Sequence, residues 1–137
     1  MPKFFLTIIA VTLLVSLIIV GVILNKRIAN NSIELFNRPY EAYNSSSLNG
    51  ADVISAINRA KTYNNTLDEE EYEYKIDIKV RIIDEELETD ISVDMEKIYA
   101  SGIDQFIRFY GGYEFKCTEI SYNKTTGQVN SLAFENK

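Results

Sequence analysis

Tyr72-Glu73-Tyr74-Lys75-Ile76-Asp77-Ile78-Lys79-Val80-Arg81-Ile82 alternates apolar and charged side chains without a break. In an extended chain successive side chains point to opposite faces, so this period of two predicts a long strand with one buried face. Its polar face alternates in sign, as a solvated sheet surface does. Asp84-Glu85-Glu86 then turns the chain, and Glu88 to Val93 reads as a shorter strand returning as a hairpin partner.

Downstream, the period changes. Asp94 is a suitable N-cap for a helix from about Met95 to Ser101, with Met95, Ile98 and Tyr99 inward. Gly102 interrupts it. Ile103, Phe106, Ile107 and Tyr110 then recur at helical spacing until Gly111-Gly112. Tyr113 to Tyr122 and Gln128 to Glu135 read as a final hairpin whose loop, Asn123 to Gly127, ends on a glycine able to take positive φ. Upstream, Asn49 caps a helix over Gly50 to Tyr63, with Val53, Ile54, Ile57 and Ala60 on one side and Asn64-Asn65 as a left-handed stop. The expected fold is α+β: about four strands in an antiparallel sheet, with two to three helices on one face. This domain is expected over residues 48–137.

Residues 25–47 read as a juxtamembrane connector. Arg38-Pro39 is expected to end any helix there, because the residue before proline is pushed out of the helical region. Asn44 to Ser47 reads as a spacer. Before the connector lies Phe4 to Leu24, 21 residues without a charge. As a helix this covers about 30 Å, the hydrocarbon thickness of a bilayer. A cleaved signal peptide has a shorter apolar region followed by a small-x-small site. Here Ile23-Leu24-Asn25-Lys26-Arg27 follows instead. A transmembrane anchor over 4–24 is therefore expected, with the lipid bilayer as its partner. Sidedness draws on opposing arguments. Lys26, Arg27 and Arg38 after the run, against Lys3 and the terminal amine before it, favour a cytoplasmic domain. The short N-terminal tail favours the reverse, and an extracellular domain on the plasma membrane is the expectation carried forward.

Charge narrows the function classes. Net charge is −6, yet residues 40–137 hold 19 acids against 10 bases, and residues 68–96 hold 13 against 3. An acidic domain lacks the basic stripe that displaces counterions from nucleic acid, so no nucleic-acid partner is expected. The sequence has no histidine, no tryptophan and a single cysteine, Cys117. The commonest zinc sites and histidine-based acid–base catalysis are therefore absent, and Cys117 has no histidine to activate it. It reads as a small core residue.

Two acidic clusters, Asp68 to Glu71 and Asp84 to Glu88, sit at either end of the predicted strand, about 35–40 Å apart at 3.3 Å per residue. They cannot form one cation site, and neither has the spacing of a calcium loop. Both read as solvated turns. The nine tyrosines, a residue type common in contact surfaces, fall mostly on buried phases here. Four Asn-x-Ser/Thr triplets, at Asn30, Asn44, Asn64 and Asn123, carry meaning only in a eukaryotic luminal domain. No catalytic residue, metal ligand or cofactor site is assigned.

Three stretches carry a resemblance. They are Asn49-Gly50-Ala51-Asp52-Val53-Ile54-Ser55-Ala56-Ile57-Asn58, Met95-Glu96-Lys97-Ile98-Tyr99, and Phe115-Lys116-Cys117-Thr118-Glu119-Ile120 with its Tyr122-to-Gly127 turn. After an N-terminal apolar helix, they resemble a group of small single-pass membrane proteins of Gram-positive bacteria, of the clostridial and bacillus kind. The resemblance implies a bacterial plasma membrane and no catalytic or binding residues. The expected function is a non-enzymatic interaction or accessory module of an envelope or secretion assembly, with a protein partner. A pilin-like subunit is the alternative, but Pro2-Lys3-Phe4-Phe5 lacks the processing site and the run lacks the glutamate that such subunits carry.

Overall fold

The computed structural model describes residues 2–137, and the side chains of all of these but 28–30 and 45. The terminal amine used in the sidedness argument and the side chain of Asn30 lie outside the described residues. The chain divides into two compact units, Met1–Leu35 and Phe36–Lys137.

The first unit is helix. α1 runs over Pro2–Glu41 and contains the whole apolar run. The run's large side chains, from Phe4 to Leu24, are all exposed. Its hydroxyls are satisfied within the helix: Thr7, Thr12 and Ser16 each donate to the carbonyl four residues back, at 2.8, 2.8 and 2.9 Å. One helix is thus long and apolar enough to cross a membrane, and a signal sequence passes the same test.

α1 does not end at Arg38-Pro39 as expected. Pro39 lies inside it, close enough to the end that the missing N–H costs only one bond of the last turn. A 3-10 turn, Ala42–Ser45, follows directly. Part of the expected connector thus belongs to the second unit, where Phe36, Tyr40 and Tyr43 pack in or against the core. Tyr40 is only 2% exposed. Phe36 stands edge-on to Tyr63 at 4.8 Å, and Tyr43 edge-on to Phe134 at 5.9 Å.

The second unit is an α+β domain whose sheet has five strands rather than four. They are β1 (Leu48–Asn49), β2 (Asp77–Asp84), β3 (Thr89–Asp94), β4 (Glu114–Tyr122) and β5 (Val129–Asn136), in the order β1-β4-β5-β2-β3. The sheet is mixed. β2 pairs with β3 and β4 with β5 as the two predicted antiparallel hairpins, but β5 lies parallel to β2, with Ile78 opposite Leu132 and Val80 opposite Phe134. β1 adds two residues to β4 at Phe115 and Glu114.

β2 is shorter at its start than the alternation predicts. Tyr72 and Tyr74 belong to a 3-10 turn, Glu69–Tyr74, which Asp68 and Glu71 close as a capping box. Reciprocal side-chain caps satisfy the backbone donors of a turn and so compete with extension. The strand leading to the 84–88 cluster is consequently eight residues long, about 26 Å at 3.3 Å per residue, and does not reach back to the 68–71 cluster.

The helices of the domain are α2 (Gly50–Asn64), α3 (Met95–Ser101) and α4 (Ile103–Tyr110). Asn49 and Asp52 form a capping box, each accepting at 2.9 Å from the other's backbone N–H. α2 buries Val53, Ile54, Ala56, Ile57 and Ala60. Asn65 is right-handed, not the left-handed stop expected. The core joins this stripe to Ile78, Val80 and Ile82 of β2, Leu132 and Phe134 of β5, and Phe115 of β4. The opposite face of the sheet carries Lys79, Arg81, Lys116 and Glu119 in the open. Gly102, with φ at 104°, turns the chain between α3 and α4.

Candidate functional site

An apolar concavity of the domain lies between the sheet's β3 end and the α3–α4 pair. It encloses about 350 Å³ and is lined by Ile82, Ile91 and Val93 from the strands and by Ile98, Phe106 and Phe109 from the helices. That volume is at the lower end of small-ligand pockets. Lys97 and Gln105 are polar residues in its lining. Several of its apolar side chains remain in water, with Ile91 50% and Phe109 61% exposed.

The strand beside this groove ends the sheet. β3 has β2 on one side and no strand on the other. Asp90, Ile91 and Ser92 are exposed, and all six residues pair with β2 in unbroken register. The other end of the sheet differs. β4 is partly covered by β1, the 3-10 turn Ala42–Ser45 packs against it, and two irregularities interrupt its register with β5. Bulges and covering strands are the usual protection of a sheet edge; among the described residues β3 has no bulge against β2 and no strand beyond it.

What β3 has is charge. From Asp84 to Glu96 there are seven carboxylates and no base. Several are committed internally. Asp84 accepts from the backbone of Glu86 and Leu87, Asp94 caps α3 through the Lys97 N–H, and Glu96 pairs with Lys61 at 2.7 Å. Arg81 grips Asp90 through two bonds of 2.8 and 2.6 Å and reaches Glu135 at 3.5 Å. The guanidinium holds the Asp90 carboxyl below its ordinary range. Among the described residues no cation pairs with Glu85, Glu86 or Glu88.

No family model, curated protein or solved structure matches this chain.

The residues singled out from sequence are scattered by the fold. Asp68 and Glu71 are used up in their turn, and among the described residues no group of three or more carboxylates or thiols is placed to hold a metal ion. Of the nine tyrosines Tyr40 is buried, Tyr43, Tyr63 and Tyr110 pack against the edge of the core, Tyr74 is half-buried, and Tyr72, Tyr99, Tyr113 and Tyr122 are exposed. Cys117 is half-buried against the core, and burial pushes its thiol above the ordinary value. That is the environment of an inert cysteine, not of a nucleophile. Two of the Asn-x-Ser/Thr asparagines are occupied: Asn64 on the Ile76 backbone and Asn123 on its own loop. Sequence reading placed Ile91 on a strand and missed Phe109. The signal was present, because α4 carries apolar residues at 103, 106, 107, 109 and 110, more than one inward stripe can absorb.

Proposed function

We propose that this chain is a membrane-anchored, non-enzymatic interaction module, an accessory part of an envelope or secretion assembly. The observation that carries the reading is α1: an uncharged apolar run whose side chains are exposed along its whole length. Water disfavours such a surface by about 25 cal/mol for each Å² of apolar area, so a bilayer is its natural solvent. The domain that follows supports the second half of the reading with an apolar groove beside an open strand edge, a form of surface that binds protein segments.

Two measurements test this. After alkaline carbonate extraction of cells expressing the chain, an anchored protein stays in the membrane pellet and its intact mass includes residues 4–24. Release into the medium with that run removed overturns the anchor and makes it a signal sequence. Sidedness follows from Ser46→Cys in a Cys117→Ser background, probed with an impermeant maleimide on intact cells. Labelling before lysis places the domain outside; labelling only after lysis places it in the cytoplasm and turns the search to cytoplasmic membrane complexes.

A further inference from the structure

Resting on the interaction-module reading, we infer that β3 is a docking edge for an extended segment of a basic protein partner, one that alternates basic and apolar residues. Pairing with β3 would add a sixth strand and continue the sheet. The alternation follows from the two faces that such a strand meets. On the helix side it looks into the groove of Ile91, Val93 and Phe109, where apolar side chains lose water. On the opposite side it lies beside Asp90, with Glu85, Glu86 and Glu88 at the hairpin end.

The charge selects among occupants. Glu85, Glu86 and Glu88, which no described cation pairs, repel a second copy of the same edge and leave it open to a strand of opposite sign. The nearby cations do not reverse this. Arg81 is already shared between Asp90 and Glu135, Lys79 lies opposite Asp94 at the end of β3 away from the Glu85, Glu86 and Glu88 turn, and Lys97 lines the groove from the helix side. An acidic segment would meet uncompensated carboxylates along the hairpin; a neutral one would gain the groove without the steering.

The test uses the full chain in detergent micelles and three nine-residue probes. One alternates lysine and valine, one alternates glutamate and valine, and one repeats the first with the backbone nitrogens of its pairing edge methylated. Binding is read by anisotropy of a labelled probe, and its location by amide hydrogen exchange. The lysine/valine probe is expected to bind and to slow exchange in residues 89–94. The acidic and the methylated probes should bind at least tenfold more weakly. Ile91→Lys, at a half-exposed position, should weaken binding tenfold, and so should Phe109→Ala. Reversing Glu85, Glu86 and Glu88 together to lysine should do the same, and wild-type melting temperatures show that each variant is folded.

Equal binding of the methylated probe would reduce the effect to unspecific charge attraction and overturn the inference. So would no binding, or binding that survives both Ile91→Lys and Phe109→Ala. Protection of 89–94 that grows with protein concentration and needs no probe would assign the edge to a second copy instead. A photo-crosslinker at Phe109 or at Lys116, in the chain in its native membrane, separates this failure from that of the broader reading. Crosslinks to a protein from Lys116 alone, with no probe bound at β3, would sink the edge and leave the interaction module standing.

Discussion

Three asparagines do the work of backbone in this domain. Asn37 donates to the Gly127 carbonyl and accepts from the Val129 N–H, at 2.9 and 2.8 Å. Asn64 spans the N–H and C=O of Ile76, both at 2.8 Å. Asn136 spans those of Ile83 at 2.6 and 2.7 Å, extending the β5–β2 ladder by one rung. A side-chain amide has the donor and acceptor of a peptide group, so each closes a backbone pair that no strand reaches. Removing one leaves two polar groups unpaired at a site largely shielded from water. Asn136→Ala should therefore cost about 2 kcal/mol, or on the order of 10 °C in melting temperature. Near-UV dichroism of the full chain in micelles would read this; a variant melting with the wild type would mean water replaces the amide. No sequence pattern singles out these residues, since only the fold decides which asparagine meets an open backbone pair. Cys117 belongs to the same scale. Its thiol is half-buried and pushed up by burial, so less of it is thiolate at any given pH. Maleimide should label it roughly tenfold more slowly than Ser46→Cys at pH 7.5. The gap should narrow as the pH rises past the ordinary thiol range; equal rates at neutral pH would show Cys117 to be open.

The elements divide by whether their causes are local. α2 was legible to within a residue, because its cap, its dipole-matched Asp52 and its apolar stripe all lie within it. The β2–β3 and β4–β5 hairpins were legible for the same reason. β1 was not: two residues carry no period, and Leu48 is a strand only because Phe115 lies beside it. The parallel pairing of β5 with β2 was equally hidden, since the partners lie about 50 residues apart and nothing in either names the other. The groove fell between these cases, with its residues visible and its shape dependent on where β3 ends the sheet. Contacts between elements also explain Gly50. Its N–H donates to the Gly111 carbonyl at 3.2 Å, and a Cβ there would meet the Tyr110 carbonyl oxygen and come within 2.7 Å of the Gly111 Cα. Replacing a helical glycine with alanine gains up to about 1 kcal/mol from propensity. Against that, overpacking against backbone costs about 1–3 kcal/mol. Because backbone cannot rotate away, Gly50→Ala should lower stability, with α2 and the 110–111 turn forced apart. A rise in melting temperature would show that the turn shifts freely and that α2 does not need the close approach.

At the scale of the whole molecule, charge takes the place that covering structure takes elsewhere. The β4 edge is shielded by β1 and a 3-10 turn, and irregularities break its ladder, while the β3 edge is regular, exposed and bordered by unpaired carboxylates. Two exposed edges with apolar side chains beside them tend to associate, and here repulsion between like charges is what opposes it. That protection depends on pH and salt, where a covering segment would not. At neutral pH the net charge is −6, and it vanishes near the isoelectric point of 4.7. The full chain in micelles should therefore carry one copy per micelle at pH 7 and self-associate as the pH falls towards 4.7. High salt at pH 7 should produce a weaker version of the same change, because screening shortens the reach of exposed charges to a few Å at about 1 M. Changing Glu85, Glu86 and Glu88 together to glutamine should bring association on at higher pH, and adding Ile91→Lys should push it back down. Sedimentation velocity with the detergent density-matched measures each case. Association that begins at the same pH in the triple variant as in the wild type would place the contact elsewhere. The acidity of residues 84–96 would then be a solubility feature of the surface and not the guard of this edge.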